Sequence, residues 1–144
     1  MDNRRSVTGL ITTIGGMVTN WISKTQPIVT LSSTEAEYVA LSVSAQDVKF
    51  QHMLLTEMCP DKPPPTARIH EDNTGAIFLS KNKQVGGRTK HIDVRHHFIR
   101  DLIHMKILEV VFVRSEENVA DILTKHVSEI LFKKHAEKLL AGHV

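Results

Sequence analysis

The sequence predicts one α/β domain with a mixed sheet, and three observations support this class. Apolar residues recur at three- and four-residue spacing in long stretches, which is typical of helices. Short runs rich in β-branched residues indicate strands. The two patterns alternate along much of the chain, as in sheets covered by helices. A chain of 144 residues with 41% hydrophobic content is long enough for one core and short for two.

The first half of the chain predicts a hairpin followed by a long helix. Residues 7–14 and 17–23 are strand-like and are separated by Gly15 and Gly16, which predicts a tight turn. Residues 28–31 form a short strand or an extended segment, since Pro27 prevents a longer regular structure before them. Residues 33–58 predict a helix. Its expected buried stripe consists of Tyr38, Leu41, Ala45, Val48 and Leu55.

The second half continues with shorter elements. We expect a strand at 67–71, a helix at 74–81, a polar loop at 82–92 and a strand at 107–114. A further helix is expected before that strand, with an apolar stripe of Val94, Phe98, Leu102 and Met105. Residues 118–124 are expected to begin another helix, and residues 130–140 are expected to form a last, amphipathic helix. We place the domain at 1–127 and a C-terminal helix or tail at 128–144, with Trp21 and Phe98 in the core.

Composition excludes several classes of function. The formal charge is only +2, from 18 Lys and Arg against 16 Asp and Glu, so attraction to nucleic acid requires a local patch. The single Cys59 excludes an internal disulfide and a zinc site made of cysteines, and it fits a reducing compartment. No stretch approaches the ~20 apolar residues of a membrane span, and no signal-peptide pattern is present. We therefore expect a soluble intracellular protein, cytoplasmic or nuclear.

Three acidic residues lie where a metal site is expected. Glu37 is near the start of the long helix and shares the side of its buried stripe, Asp72 follows the strand at 67–71, and Asp121 follows the strand at 107–114. Acids that converge from separate elements hold the paired cations of two-metal phosphodiester hydrolysis. On spacing alone a capping role is the favoured alternative for each residue: Glu37 and Glu35 suit capping boxes, and Asp72 and Asp121 suit helix starts.

A basic segment spans residues 81–100. It holds six Lys or Arg residues against one acid, Asp93, which leaves a local charge of +5. Such a segment suits a phosphate backbone, and a solvated loop is the alternative. The expected nucleic-acid contacts are Lys81, Lys83, Arg88, Lys90, His91 and Arg95. A zinc site at His91, His96 and His97 is disfavoured because no cysteine is nearby. Aromatic residues, at 5%, are too sparse for a single-strand stacking platform.

Four extended motifs make the interpretation more specific. They are LSSTEAEYVAL at 31–41, EDNTGAI at 71–77, GRTKHIDVRHHFIR at 87–100 and NVADILTK at 118–125. In this order they resemble the ribonuclease H domain of the Pol polyprotein of copia-type LTR retrotransposons, over most of the chain. The resemblance implies a ribonuclease H-like sheet with flanking helices. It also implies that Glu37, Asp72 and Asp121 are catalytic and hold two magnesium ions, with manganese as a substitute, whereas Glu35 keeps its capping role.

The resemblance also implies what this chain lacks. Family members carry a central strand with the first catalytic Asp just before the position of Arg4, Arg5 and Ser6, and here that strand is absent. The His that other ribonucleases H carry before the last Asp is absent too, and Glu116 or Glu117 is a candidate neighbour of the metals. We expect the isolated chain to be inactive, with strand edges exposed to dimerisation.

The resemblance implies hydrolysis of the RNA strand of RNA–DNA hybrids, next to the upstream reverse transcriptase part of the polyprotein. The alternative is a non-catalytic ribonuclease H-like module that is structural or binds nucleic acid. A transposase or integrase nuclease fits the order of the acidic residues less well.

Overall fold

The structure, a computed structural model, describes residues 5–82 and 90–142, and for Lys90 and His91 it describes the backbone alone. Four strands and four α-helices follow one another in the order ββαβααβα. The strands are β1 (Val7–Ile14), β2 (Met17–Thr25), β3 (Ala67–Glu71) and β4 (Leu108–Phe112). The helices are α1 (Ser33–Met58), α2 (Thr74–Lys81), α3 (Lys90–His104) and α4 (Glu129–Ala141). The predicted α/β class is therefore confirmed.

At residues 28–31 the prediction left a strand and an extended segment open, and the structure has no strand there. The Leu31 N–H donates to the Glu35 carboxylate at the start of α1 (2.8 Å) and is not available to a sheet. The expected helix at 118–124 is a 3₁₀ turn, Val119–Leu123, preceded by another at Ser115–Glu117. The side chain of Asn118 accepts from the Ala120 N–H and fixes the start of the second turn. None of the described helices is long and apolar enough to cross a membrane.

The hairpin forms because two glycines allow its turn. Strands β1 and β2 pair antiparallel from Val7 opposite Thr25 to Ile14 opposite Met17. Gly15 and Gly16 have φ angles of 60° and 82°, which only glycine adopts at low cost and which a two-residue hairpin loop of this twist needs.

Strands β3 and β4 form a separate, parallel pair. Ala67 lies opposite Leu108 and Glu71 opposite Phe112. A parallel pair requires a crossover connection, and here the connecting segment contains α2 and α3. The expectation of one mixed sheet is wrong for the described residues: the hairpin and the parallel pair are two separate two-stranded sheets. Helix α1 packs against β1 of one sheet and β3 of the other, and so joins them.

The core lies along α1. Tyr38, Leu41 and Ala45 of the predicted stripe are fully buried, whereas Val48 only packs at the edge of the cluster. Helices α2 and α3 and strand β4 complete the cluster with Ala76, Leu79, Ile92, Ile99, Leu102, Leu108 and Val110.

The predicted stripe of α3 was partly wrong. Val94 and Met105 are 64% and 67% exposed, whereas Ile92 and Ile99 are buried. A shift of two residues turns a helix by about 200°, so a stripe counted from Val94 lies opposite one counted from Ile92. The polar His96 occupies the buried face because its Nε2 pairs with the Asn82 carbonyl oxygen at 2.9 Å.

Trp21 was also misplaced by the prediction, since it is 65% exposed. It lies opposite Ile11, whereas Leu10 lies opposite Ile22 on the other face of the hairpin. Leu10 is buried, so strand alternation turns Trp21 away from the core. Phe98 packs against the core, as predicted, and the Lys49 ammonium lies 5.6 Å from its ring centroid.

The Asp47 carboxylate fastens the hairpin to α1. It accepts from the hydroxyl of Thr12 on β1 (2.5 Å), the amide of Asn20 on β2 (2.8 Å) and the amide of Gln51 one helical turn away (2.9 Å). Three donors from three elements thus share one acceptor group. This network fixes the position of the hairpin relative to α1.

We expect Asp47→Ala to lower the free energy of unfolding by about 1–3 kcal/mol, because three partly buried donors lose their acceptor. Urea denaturation followed by circular dichroism measures the change. Asp61→Ala, at an exposed loop position, is the matched control and should stay within about 0.5 kcal/mol of the parent chain. Equal stability of the two variants would show that the network does not hold the hairpin.

Candidate metal centre

Three carboxylates meet where α1 begins and β3 ends. Glu37 comes from the early part of α1, Glu71 is the last residue of β3, and Asp72 follows it. One carboxylate oxygen from each lies within 4.8 Å of the others. Helix α1 packs against β3, and this packing carries Glu37 to the strand end. The structure therefore brings together two of the three predicted residues.

Asp121, the third predicted residue, lies beside this cluster. It belongs to the 3₁₀ turn Val119–Leu123 and is only 8% exposed. Its charge helps to raise the pKa of Glu37, as does that of Asp72. It is not one of the three groups within 4.8 Å of one another. The four residues Glu37, Glu71, Asp72 and Asp121 are called the carboxylate cluster below.

Glu71 is the residue that the sequence interpretation missed. It is 6% exposed and shares one face of β3 with the partly buried Ala67 and Ile69. Alternation at two-residue spacing carries the signal, because it turns Glu71 inward with Ile69. The motif resemblance points to Asp72 alone at this strand end, and it does not indicate the neighbouring Glu71.

Burial and the charges of neighbouring carboxylates raise the pKa values of Glu71 and Glu37. The pKa of Glu71 is about 8, mainly because burial disfavours its charge, and the charges of Glu37 and Asp72 add to this. The Asn73 N–H donates to Glu71 Oε1 at 2.9 Å and acts in the opposite direction. The pKa of Glu37 is raised by burial first and then by Asp72 and Asp121. Excess negative charge in a buried place favours a bound cation.

The capping alternatives are now resolved for two residues. Glu35 takes part in the cap of α1: the Ser32 hydroxyl accepts from its N–H at 3.1 Å, and its carboxylate accepts from Leu31. Asp72 is not the cap of α2, because Asn73 occupies that position and accepts from the Ala76 N–H at 2.9 Å. The Asp72 carboxylate instead accepts from the Ser115 hydroxyl, which follows β4.

Lys125 supplies a positive charge to the cluster. Its ammonium lies 2.6 Å from Asp121 Oδ2, one helical turn away in sequence. The pKa of Lys125 is raised first by this hydrogen bond, and the charges of Asp72 and Glu37 contribute. Lys125 also lowers the pKa of Glu37. All three predicted site carboxylates, Glu37, Asp72 and Asp121, thus stabilise the charged form of Lys125.

Glu117, a candidate neighbour of the metals, is held elsewhere. Its carboxylate pairs with Lys134 and with Lys138 (2.7 Å), both on α4. Hydrogen bonds from these two ammonium groups lower the pKa of Glu117 to about 2. The pairs attach α4 to the 3₁₀ turn that follows β4. Glu117 is thus a structural anchor for α4 in this arrangement.

The basic segment is described only in part. Lys81 is exposed at the end of α2, and the guanidinium of the half-buried Arg95 donates to the Ser42 hydroxyl on α1. The predicted contacts Lys83 and Arg88 lie outside the described residues, as do the side chains of Lys90 and His91. The exposed side chain of Lys81 is accessible to a ligand, whereas Arg95 would first have to break its hydrogen bond to the Ser42 hydroxyl.

The donor set fits a hard divalent cation. Carboxylate oxygens are the ligands that Mg²⁺ and Mn²⁺ prefer, and they suit Zn²⁺ less well than histidine or cysteine. The fold and the cluster therefore define an α/β protein with a candidate magnesium site at the end of a parallel strand.

The chain is similar in sequence to known transposon polyproteins. The chain is 39% identical over 133 residues, 92% of its length, to the retrovirus-related Pol polyprotein from transposon TNT 1-94 of Nicotiana tabacum. It is 36% identical over 138 residues to the corresponding polyprotein from transposon RE2 of Arabidopsis thaliana, and 27% identical over 130 residues to the transposon Ty1-JR2 Gag-Pol polyprotein of Saccharomyces cerevisiae.

The chain spans about a tenth of these relatives: 10%, 9% and 7% of their respective lengths. No protein-family model and no solved structure matches the chain. Its relatives are thus retrotransposon Pol polyproteins, and the chain corresponds to a segment of them.

We expect the buried Glu71 to make the fold less stable as pH rises. Its pKa is about 8 in the folded chain, against an ordinary 4.5, so its contribution is fully present below pH 4.5 and is lost as pH rises through 8. In EDTA, Glu71→Gln should reduce the loss of unfolding free energy between pH 5 and pH 8 by on the order of 2 kcal/mol.

Urea denaturation at the two pH values measures this difference. Glu57→Gln, at an exposed position on α1, is the control and should keep the pH dependence of the parent chain. Parallel pH profiles for the parent and Glu71→Gln would contradict the buried, protonated state of Glu71.

Proposed function

We propose that the chain is a ribonuclease H-type domain of a copia-type retrotransposon Pol polyprotein, acting on the RNA strand of RNA–DNA hybrids. One observation carries this proposal: Glu37 and Asp72 meet at the end of β3 with Asp121 beside them. These are the residues that the motif resemblance selected, and they come from separate elements. The similarity to Pol polyproteins supports the same assignment.

In this proposal Glu37, Asp72 and Asp121 hold two Mg²⁺ ions, for which Mn²⁺ can substitute. Bound cations of this kind activate a water and stabilise the leaving oxygen in phosphodiester hydrolysis. Ser115 positions Asp72 through its hydroxyl, and Lys125 balances the charge of Asp121. Glu71 would supply a further oxygen donor, because one of its carboxylate oxygens lies within 4.8 Å of those of Glu37 and Asp72. A cation bound nearby would lower its pKa and so favour the charged form.

Hybrid recognition would rest on charge and shape. The basic segment at 81–100 faces the phosphate backbone in this proposal, with Lys81, Lys83, Arg88, Lys90, His91 and Arg95 as its contacts. Discrimination between RNA and DNA strands comes from the 2′-hydroxyl and the width of the grooves. The partners are the hybrid and the reverse transcriptase part of the polyprotein, inside a cytoplasmic virus-like particle or the nucleus.

A second candidate is a non-catalytic module of the same fold that only binds hybrid or supports the polyprotein. The ion pair between Lys125 and Asp121 favours it, because a resident ammonium already neutralises one carboxylate. In this case the chain binds hybrid with a salt dependence set by its basic segment but does not cleave it.

Cleavage of a labelled RNA–DNA hybrid in Mg²⁺ tests the proposal. We compare residues 1–144 with a longer chain that includes the preceding polyprotein segment, because the family's first catalytic Asp lies there. We expect cleavage by the longer chain and at most traces by 1–144. In the longer chain Glu37→Gln, Asp72→Asn and Asp121→Asn should each reduce the rate by about 10²-fold or more.

Glu35→Gln is the matched control, since Glu35 lies two residues from Glu37 and caps α1; its rate should stay within a few-fold of the parent. An inactive longer chain that still binds hybrid would refute the enzyme and favour the binding module. Activity of 1–144 that Asp72→Asn abolishes would overturn the expectation of an inactive isolated chain.

A further inference from the structure

Helix α4 has a single buried residue, and that residue is a histidine. His135 is fully buried, whereas every other residue of α4 is exposed or half-buried. In a helix that covers a protein surface, the most buried position is expected to carry an apolar side chain. His135 instead places two ring nitrogens there. It lies beyond residue 125, where the last of the four sequence motifs ends, so the motif resemblance assigns it no role.

Neither ring nitrogen of His135 has a hydrogen-bond partner among the described residues. An imidazole in its neutral form carries one N–H donor and one acceptor nitrogen. A buried polar group without a partner destabilises a fold, and native proteins contain few of them. A leucine at this position would avoid that cost. Packing alone therefore does not explain why α4 buries a histidine.

Two carboxylates in the 3₁₀ turns that follow β4 act electrostatically on His135. Glu117 belongs to the first turn and Asp121 to the second. The Glu117 carboxylate is already paired with Lys134 and Lys138 of α4. Asp121 belongs to the carboxylate cluster, and α4 packs against its turn. His135 is therefore placed to act on Asp121.

Helix α4 is held in place on both sides of His135. The Glu117 carboxylate binds Lys134 and Lys138, which lie one helical turn apart with residue 135 between them in sequence. At the other end, the carbonyl oxygen of Gly142 lies so close to Gly16 in the hairpin turn that a Cβ would not fit there. The two contacts fix the position of the buried histidine relative to the turn of Asp121.

The imidazole of His135 is neutral at neutral pH. Burial lowers its pKa, and the charges of Lys138 and Lys134 lower the pKa further. The charges of Asp121 and Glu117 act in the opposite direction but do not outweigh burial. A neutral imidazole can orient a carboxylate by hydrogen bonding without neutralising its charge. Such outer contacts to metal ligands commonly change metal affinity by roughly 10–100-fold when they are removed.

We propose that His135 is a positioning residue of the carboxylate cluster and that it orients the Asp121 carboxylate through one bridging water molecule. Buried polar groups that do not meet directly are commonly joined by such a water. Held in this way, Asp121 keeps an orientation in which it can share a divalent cation with Glu37 and Asp72. The inference rests on the proposed function, because it assigns His135 to the metal site of that function.

Mg²⁺ titrations of the whole 144-residue chain, followed by NMR through the amide signals of residues 37 and 72, test this role. His135→Leu keeps the buried position filled but removes both ring nitrogens, and we expect it to weaken Mg²⁺ binding about tenfold or more. His135→Asn and His135→Gln each retain a polar group near the place of one ring nitrogen. At least one of them should stay within about threefold of the parent chain.

Two further variants make the titration specific. His126→Leu carries the same substitution at an exposed histidine five residues after Asp121, and its Mg²⁺ affinity should stay within about twofold of the parent. In a chain with Asp121→Asn, adding His135→Leu should change the remaining affinity by no more than about twofold, because the two residues act through one contact. A full tenfold effect of His135→Leu in that background would overturn the link to Asp121.

Urea denaturation in EDTA separates this role from a packing role. Because His135→Leu removes a buried polar group, we expect its denaturation midpoint to equal or exceed that of the parent chain. A lower midpoint together with unchanged Mg²⁺ affinity would show that His135 only packs α4 and would overturn the proposal. Failure of His135→Leu to fold would overturn it for the same reason.

The parent chain distinguishes a failure of this inference from a failure of the proposed function. If Mg²⁺ shifts the signals of residues 37 and 72 equally in the parent and in His135→Leu, the metal site stands and the role of His135 is refuted. If Mg²⁺ leaves these signals of the parent unchanged, the metal site itself is refuted, and the role of His135 is refuted with it.

Discussion

Helix α1 packs against two separate strands, and this packing determines where both the core and the site lie. Its first half buries Tyr38, Leu41 and Ala45, and these side chains pack with residues of α2, α3 and β4. Because α1 contacts both β1 and β3, it sets the distance between the two sheets. The same packing fixes the position of Glu37 at the end of β3. Core and site are therefore consequences of one interaction.

The carboxylate cluster carries an unfavourable concentration of negative charge. Burial and the charges of neighbouring carboxylates raise the pKa values of Glu71 and Glu37, so the charged forms of these two groups oppose folding at neutral pH. Lys125 offsets part of the charge and Ser115 orients Asp72, yet Glu71 keeps a pKa of about 8. A divalent cation would relieve this repulsion more effectively than one ammonium group. Such a cluster lowers the stability of the fold in the absence of a cation, as is common at binding sites.

Local patterns predicted most of the fold. The hairpin followed from two glycines between strand-like runs, and the long helix from its apolar stripe. Tertiary features decided what the patterns could not. Trp21 is a residue type that often lies in a core. Strand pairing places Trp21 opposite Ile11 on one face of the hairpin and Leu10 opposite Ile22 on the other, and the face with Leu10 is the buried one. The separation into two sheets depends on long-range pairing, which no local pattern contains.

The site was predictable to a similar extent. Motif resemblance selected Glu37 over Glu35, and the cap formed by Glu35 agrees with that choice. Strand alternation places Glu71 on the same face of β3 as Ile69, but the burial of that face depends on the packing of α1 against β3, which no local pattern contains. The ion pair of Lys125 with Asp121 was not predicted, because it depends on the local turn at Asp121.

Paramagnetic broadening shows directly whether the carboxylate cluster binds a divalent cation. Substoichiometric Mn²⁺ is added to ¹⁵N-labelled chain, and the amide signals are followed by NMR spectroscopy. We expect the signals of residues 37, 71, 72 and 121 to broaden first, and we expect Asp72→Asn to remove this preference. Broadening that begins at His96 and His97, or that is spread evenly over exposed acidic residues such as Asp61, would contradict cation binding at the cluster.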